Sequence, residues 1–113
     1  MSITYSAFFA PQQLGTSAAT LFTAPTSPAS TLLRGGRIRF TNTTGAAVTV
    51  TAHAIPSGGT ASAANMFLSA KSIAANDFLD VDVPILGPGG FVQALAGAAT
   101  SITAHALSGS YFS

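Results

Sequence analysis

Charged residues are scarce in this chain. Only seven of its 113 residues are charged, 6% of the sequence, whereas an ordinary soluble domain has about 25%. Glutamate is absent and Lys71 is the single lysine. The formal net charge of +1 argues against nucleic acid as the main partner, because binding phosphates requires several clustered lysines and arginines.

Cysteine and tryptophan are also missing. Without cysteine there is no disulfide framework and no thiolate metal site. The absence of tryptophan and the presence of only two tyrosines argue against a glycan or receptor site, because aromatic platforms usually carry such sites. Residues 1–5 lack the basic start and long apolar core of a signal peptide, so we expect synthesis in the cytoplasm.

Hydrophobic residues nevertheless reach 48% of the sequence, and residues 83–113 carry no charge. This run is interrupted by Pro84, Pro88 and several glycines, whereas a helical membrane span needs about 20 mostly apolar residues in succession. We therefore expect no membrane-spanning helix. A surface so poor in charge indicates a protein that is covered by other protein in an assembly.

Alternating apolar and polar residues predict β-strands along most of the chain. In 46–55, Val48 and Val50 share one face and the intervening threonines share the other, which is the pattern of a half-buried strand. Residues 37–41 alternate in the same way, and the short link 42–45 predicts a hairpin between these two strands. Residues 78–83 form a third alternating strand, with two aspartates on one face.

Further strands are expected at 3–9, 20–24, 66–68, 91–96 and 101–107, with Leu32 at the start of the strand that reaches Phe40. Helix evidence is confined to a single turn within 61–75. Alanine, threonine, serine and glycine supply 60 of the 113 residues, which suits a thin sandwich. The expected fold class is all-β: one antiparallel, jelly-roll-like β-sandwich of about seven to nine short strands, with 1–113 as a single domain.

Two histidines, His53 and His105, occur in similar strand segments, 51–55 and 103–107. If these strands paired, both imidazoles would face one side and one of the three aspartates would complete a two-histidine, one-carboxylate metal site. Nothing in the spacing requires this, and we interpret both histidines as polar residues on a solvent or interface face. We expect no catalytic residues, no metal and no cofactor.

The few charges are placed regularly. Arg37 and Arg39 lie two apart on one predicted strand, and Asp80 and Asp82 lie two apart on another, so each pair shares one face. They are expected to pair across strands or to meet charges on a neighbouring subunit. With Arg34, which completes the basic cluster, these residues are the candidate interface.

Short motifs follow one another in a characteristic order along the chain: Leu14-Gly15, 20–25 (TLFTAP), 39–50 (ending TNTTGAAVTV), 57–61 (SGGTA), 71–77, 78–83, 87–96 and 102–108. In the order of these segments the chain resembles a family of small virion proteins of tailed bacteriophages, the head-decoration, collar and tail-associated proteins. The resemblance covers nearly the whole chain. It implies a virion structural protein without catalytic residues.

The expected function is thus a structural subunit of a phage virion, a capsid decoration protein that binds the assembled shell and stabilises it. Its expected partners are further copies of itself, as in a trimer, and the major capsid protein or another virion protein, with neither nucleic acid nor membrane. The first alternative is a tail, collar or fibre-base component. The second is a host-receptor or glycan-binding module, and an enzyme is not expected.

Overall fold

The structure is a computed structural model that describes residues 3–4, 11–24 and 32–112, with side chains described for 11–24 and 36–108. These residues form nine strands and one turn of 3₁₀ helix at Ala63–Asn65. The strands are β1 (Ile3–Thr4), β2 (Gln12–Gln13), β3 (Ala19–Thr23), β4 (Leu32–Asn42), β5 (Val48–Ile55), β6 (Met66–Ile73), β7 (Phe78–Asp82), β8 (Phe91–Ala96) and β9 (Ile102–Phe112).

The strands form two antiparallel sheets. Sheet A has the order β1-β9-β4-β7, with β2 also paired to β9, and sheet B has the order β3-β8-β5-β6. The short strands β1 and β2 pair with opposite ends of β9 and occupy one strand position in sheet A. Eight strand positions in this order are the two Greek keys of a jelly roll. The expected fold class is confirmed.

The core lies between the sheets and is built by every second residue of the central strands. Ile38 and Phe40 of β4 face Val50 and Ala52 of β5, and none of the four has solvent exposure. Many buried positions are alanines, among them Ala94 in β8, which allows the sheets to approach closely. The abundance of small residues in the sequence therefore serves a thin core.

The predicted hairpin between 37–41 and 46–55 is wrong. β4 lies in sheet A, where it pairs with β7 and β9, and β5 lies in sheet B, where it pairs with β6 and β8. The link between β4 and β5 crosses from one sheet to the other.

A buried side chain, that of Asn42 at the end of β4, holds the chain at the corner where it crosses from sheet A to sheet B. The Asn42 side chain donates hydrogen bonds from Nδ2 to the carbonyls of Ala46 at 2.8 Å and Ile73 at 3.0 Å. Its Oδ1 accepts from the backbone N–H of Thr44 at 3.0 Å and from the hydroxyl of the same residue at 2.7 Å. An asparagine that satisfies local backbone groups favours a turn, and here it also ties the end of β4 to Ile73, the last residue of β6.

Other element bounds agree with the alternation or extend it. β4 begins at Leu32 as expected, and the one helical turn lies within 61–75. The strand expected at 66–68 continues to Ile73. Of the strand expected at 3–9, residues 5–9 lie outside the described residues.

Candidate interface

Four of the five candidate interface residues come together on the outer face of sheet A. β4 and β7 pair so that Arg37 lies opposite Asp82 and Arg39 lies opposite Asp80. The core takes the alternate residues of both strands, so all four side chains point outward. We call this surface, with Phe78 and His105, the charged face.

The two ion pairs differ in geometry. Arg39 donates from Nε to Asp80 Oδ1 at 2.8 Å and from Nη2 to Oδ2 at 3.0 Å, which is the two-bond arrangement that arginine forms best with a carboxylate. Arg37 Nε lies 3.6 Å from Asp82 Oδ1, and the Asp82 side chain is 89% exposed. The first pair is fixed in position, whereas the second leaves Asp82 largely in water.

Arg39 is held by a ring as well as by a carboxylate. Its guanidinium carbon lies 4.2 Å from the centroid of the Phe78 ring, within the range of a cation–π contact. The hydrogen bonds from Arg39 hold the pKa of the Asp80 carboxyl below its usual range against an opposing effect of lost hydration. The same contact raises the pKa of Arg39. His105 of β9 lies opposite Arg39 on its other side.

Arg34 is not part of this arrangement as far as the structure describes it. Its backbone pairs with Ser110 in β9, and the register of the β4–β9 ladder shifts between Arg34 and Arg37. The Arg34 side chain lies outside the described side chains. The cross-strand pairing expected for Arg37 and Arg39 is thus present, whereas an interface role for all five residues stays a prediction.

The two histidines do not meet. His53 is in β5 of sheet B and His105 is in β9 of sheet A. In both strands the core takes the neighbouring alanines, Ala52 and Ala104, so the two imidazoles point away from the core on opposite sides of the sandwich. Within the described residues, no three histidine or aspartate side chains are grouped as metal ligands.

His53 departs from the sequence interpretation. It is only 6% exposed, and its Nδ1 atom is buried without a hydrogen-bond partner. Its register neighbours are Gln93 in β8 and Met66 in β6, whose long side chains accompany it on this face. The sequence offered no signal for this burial, because alternation places His53 among residues that point outward.

On the edge strand β6, sheet B holds the exposed Lys71, which lies opposite the core residue Val50 in the register. The outer face of sheet B carries no charged side chain on its central strands, β5 and β8. Its members on β5 and β8 are Thr49, Thr51, His53, Phe91, Gln93 and Leu95. We call this surface the uncharged face. Thr49 is exposed, whereas Phe91, Gln93 and Leu95 are half-buried.

Comparisons with known proteins give an alignment with a solved structure and no match to a protein family. No protein-family model matches the chain, and no curated protein is similar to it. Over 93% of its length, the chain aligns with a chain in a solved structure described as "Structure of infectious bursal disease virus Gx strain", at 16% identity and a TM-score of 0.44. It spans 28% of that chain.

The resemblance to small tailed-phage virion proteins stays a prediction after these comparisons. As for membranes, no helix in the described part of the chain is long and apolar enough to cross one.

Proposed function

We propose that this chain is a structural subunit of a virion, and more specifically a decoration protein on the capsid of a tailed phage. The observation that carries the proposal is the uncharged face. A single domain in water normally displays mixed charges on all sides, and a face without charge gains stability when another protein covers it.

The strand order supports the same proposal at the level of architecture. The jelly roll is the fold of many viral capsid domains, and it also occurs in lectins and cupins. Fold alone does not give function. The topology therefore supports a virion role, and it fits a glycan-binding module equally well. The charge-poor surface separates these functions, because a lectin domain remains exposed to water around its sugar site.

The proposed mechanism is stabilisation by binding. A subunit that binds only the assembled shell shifts the equilibrium toward that shell. Many copies, each with modest affinity, together reinforce a closed lattice. No chemical step is required of any side chain.

Particle assembly with matched threonine variants tests this proposal. Thr49→Arg places a charge on the uncharged face, and Thr60→Arg places the same charge on an exposed residue of the β5–β6 link. We expect incorporation into particles to fall strongly for Thr49→Arg and to remain normal for Thr60→Arg. Equal incorporation of both variants contradicts a role for the uncharged face.

Imaging the particles separates the alternatives. Density on the outer shell supports a decoration protein, and density at the tail, collar or fibre base supports the first alternative. Loss of host attachment by particles that lack the chain, without loss of shell stability, supports a receptor-binding module.

Self-association follows from the same surface. We expect the purified chain to sediment as an oligomer at concentrations of tens of micromolar, roughly those of ordinary assays. A stable monomer at these concentrations contradicts the proposed homo-oligomer.

A further inference from the structure

The outer strand of sheet A, β7, is the starting point for an inference about the partner. β7 pairs on one side with β4, and the structure describes no strand on its other side. Its five pairs with β4, from Arg37–Asp82 to Thr41–Phe78, follow without a register shift. A regular outer strand presents a row of backbone groups to which another strand can be added.

The hydrogen bonds at the two ends of β7 show which groups form this row. Asn42 N–H donates to the carbonyl of Asp77 at 2.8 Å, and Val83 N–H donates to the carbonyl of Gly36 at 2.8 Å. Because antiparallel strands alternate, every second residue from Asp77 to Val83 faces β4, and Phe78, Asp80 and Asp82 direct their backbone groups away from the sheet.

These outward groups are open at two residues. The N–H of Phe78 donates to Asp77 Oδ1 at 2.8 Å and is therefore satisfied within the chain. In the described part of the chain, the backbone N–H groups of Asp80 and Asp82 have no such partner. They are the docking positions that remain.

The outer strands of sheet B are irregular by comparison. β3 has a register shift between Thr20 and Phe22. β6 has two shifts against β5 and a residue with positive φ, Ala70 at 42°, whose N–H is taken by Thr51 Oγ1 at 3.0 Å. Bulges of this kind discourage pairing with another chain, which leaves β7 as the regular described edge.

Charge decides what kind of strand can bind there. All three carboxylates of the chain, Asp77, Asp80 and Asp82, lie at or next to this edge. Arg39 pairs with Asp80 through two hydrogen bonds. Asp82 lies 3.6 Å from Arg37 Nε but is 89% exposed, so its carboxylate remains accessible to a second basic side chain. Two copies of β7 side by side bring aspartates against aspartates, which is unfavourable for directly opposed residues.

β4 shows which residues β7 accepts on its paired side. Opposite Asp82, Asp80 and Phe78 it places arginine, arginine and threonine. A strand added to the open side meets the same outward side chains, because directly opposed residues share a face.

We propose that the open edge of β7 binds an extended segment of a partner protein that carries arginine or lysine at alternate positions, as an added antiparallel strand. Backbone bonds at Asp80 and Asp82 supply the attachment, and Asp82 selects the basic side chain. The inference rests on the proposed assembly role, because it names the kind of partner a virion subunit uses.

The test uses the full chain and a peptide that copies residues 36–42, followed by amide hydrogen exchange and NMR titration. In the free protein we expect the amides of Leu79 and Val81 to be protected, because they face β4, and those of Asp80 and Asp82 to exchange freely. Adding the peptide is expected to protect Asp80 and Asp82 while leaving Leu79 and Val81 protected.

Matched peptides and variants separate the contribution of the backbone hydrogen bonds from that of the Asp82 charge. A peptide with glutamate at both arginine positions, and an N-methylated peptide that lacks the edge hydrogen bonds, are both expected not to bind. Asp82→Asn keeps the backbone N–H and is expected to weaken binding about two- to fivefold at low salt, the size of an exposed ion pair. Asp82→Pro removes an N–H that faces away from the sheet and is expected to abolish binding.

Three results of the peptide experiments overturn the inference, and a fourth comes from the protein alone. The three are no protection at Asp80 and Asp82, equal binding of the glutamate peptide, and loss of protection at Leu79 and Val81, which means that the peptide displaces β4. Protection of the edge amides by self-association also overturns it, in favour of a second copy. If Asp82→Pro does not fold, the N-methylated peptide still tests whether backbone hydrogen bonds at the edge are needed for binding. Particle incorporation without peptide binding contradicts this inference alone, whereas peptide binding without incorporation contradicts the proposed virion role.

Discussion

The outer face of sheet A holds two arginine–aspartate pairs, whereas the outer face of sheet B carries no charge on its central strands, β5 and β8. Both faces are built in the same way, from the residues that alternate with the core. The core does not distinguish between them, since Phe40 in sheet A and Val50 in sheet B are equally buried. Folding therefore tolerates either chemistry, and the difference points to what each face meets outside the chain.

The largest expected effect comes from placing a charge on the core side of β5 instead of on its outer side. Val50→Asp buries an unpaired carboxylate at a position with no exposure, which costs about 3–5 kcal/mol, comparable to the whole stability of a small domain, about 5–15 kcal/mol. We expect loss of the folded state, measured by circular dichroism and urea titration.

Thr51→Asp is the control one residue along. Its side chain lies on the uncharged face, where a carboxylate can still accept the hydrogen bond from Ala70 N–H. We expect this variant to fold and to lose particle incorporation. If both variants fold equally well, the assignment of Val50 to the core side of β5 and of Thr51 to its outer side is wrong.

A second variant tests the corner that connects the two sheets. Asn42→Ala leaves the carbonyls of Ala46 and Ile73 without their side-chain donor and is expected to destabilise the fold by about 3 kcal/mol, since each buried unsatisfied group costs about 1–3 kcal/mol. Thermal unfolding should show a fall in Tm of roughly 10 °C or more.

The matched asparagine is Asn65, in the 3₁₀ turn. Its side chain also bonds to backbone, with the carbonyl of Thr60 at 2.8 Å, but the contact is exposed. We expect Asn65→Ala to remain within about 1 kcal/mol of the native stability. Equal losses of stability in both variants mean that the buried hydrogen bonds of Asn42 do not hold the corner between the two sheets.

These corner residues also show what the sequence could not predict. Alternation in 37–41, 46–55 and 78–83 is a local property, so it predicted the strands, their inward faces and the facing arginines and aspartates. Which strands become neighbours depends on contacts between distant residues. The predicted β4–β5 hairpin was wrong because Asn42 bonds to Ile73, 31 residues away, and turns the chain across the sandwich.

The candidate interface also has one part that the sequence predicted and one part that it could not predict. Two-residue spacing correctly placed Arg37 and Arg39 on one face of their strand and Asp80 and Asp82 on one face of theirs. The open side of β7 could not be predicted, because it depends on which strand ends each sheet. The burial of His53 depends on the long side chains of Gln93 and Met66, which neighbouring strands bring beside it.

A third comparison uses one histidine from each face. His53→Leu removes a buried nitrogen without a partner and is expected to raise stability by about 1 kcal/mol, or Tm by a few degrees. His105→Leu changes a half-buried histidine on the charged face and is expected to alter stability by less than about 0.5 kcal/mol. A loss of stability in His53→Leu means that the imidazole has a partner that holds it in place.

The smallest expected effect concerns acid and the two aspartates of the charged face. Arg39 lowers the pKa of Asp80 in the folded state, so the stability it contributes is present above the ordinary aspartate pKa, about 3.9, and is lost as pH falls through the lower folded value. Asp80→Asn should therefore flatten the decrease of Tm as the pH falls below the ordinary aspartate pKa, about 3.9. Asp82→Asn leaves the Arg39–Asp80 contact intact, so the contribution of Asp80 to the acid slope should remain in this variant. An unchanged acid slope in Asp80→Asn, or equal flattening in both variants, means that the geometry of the Arg39 pair does not make the two aspartates different.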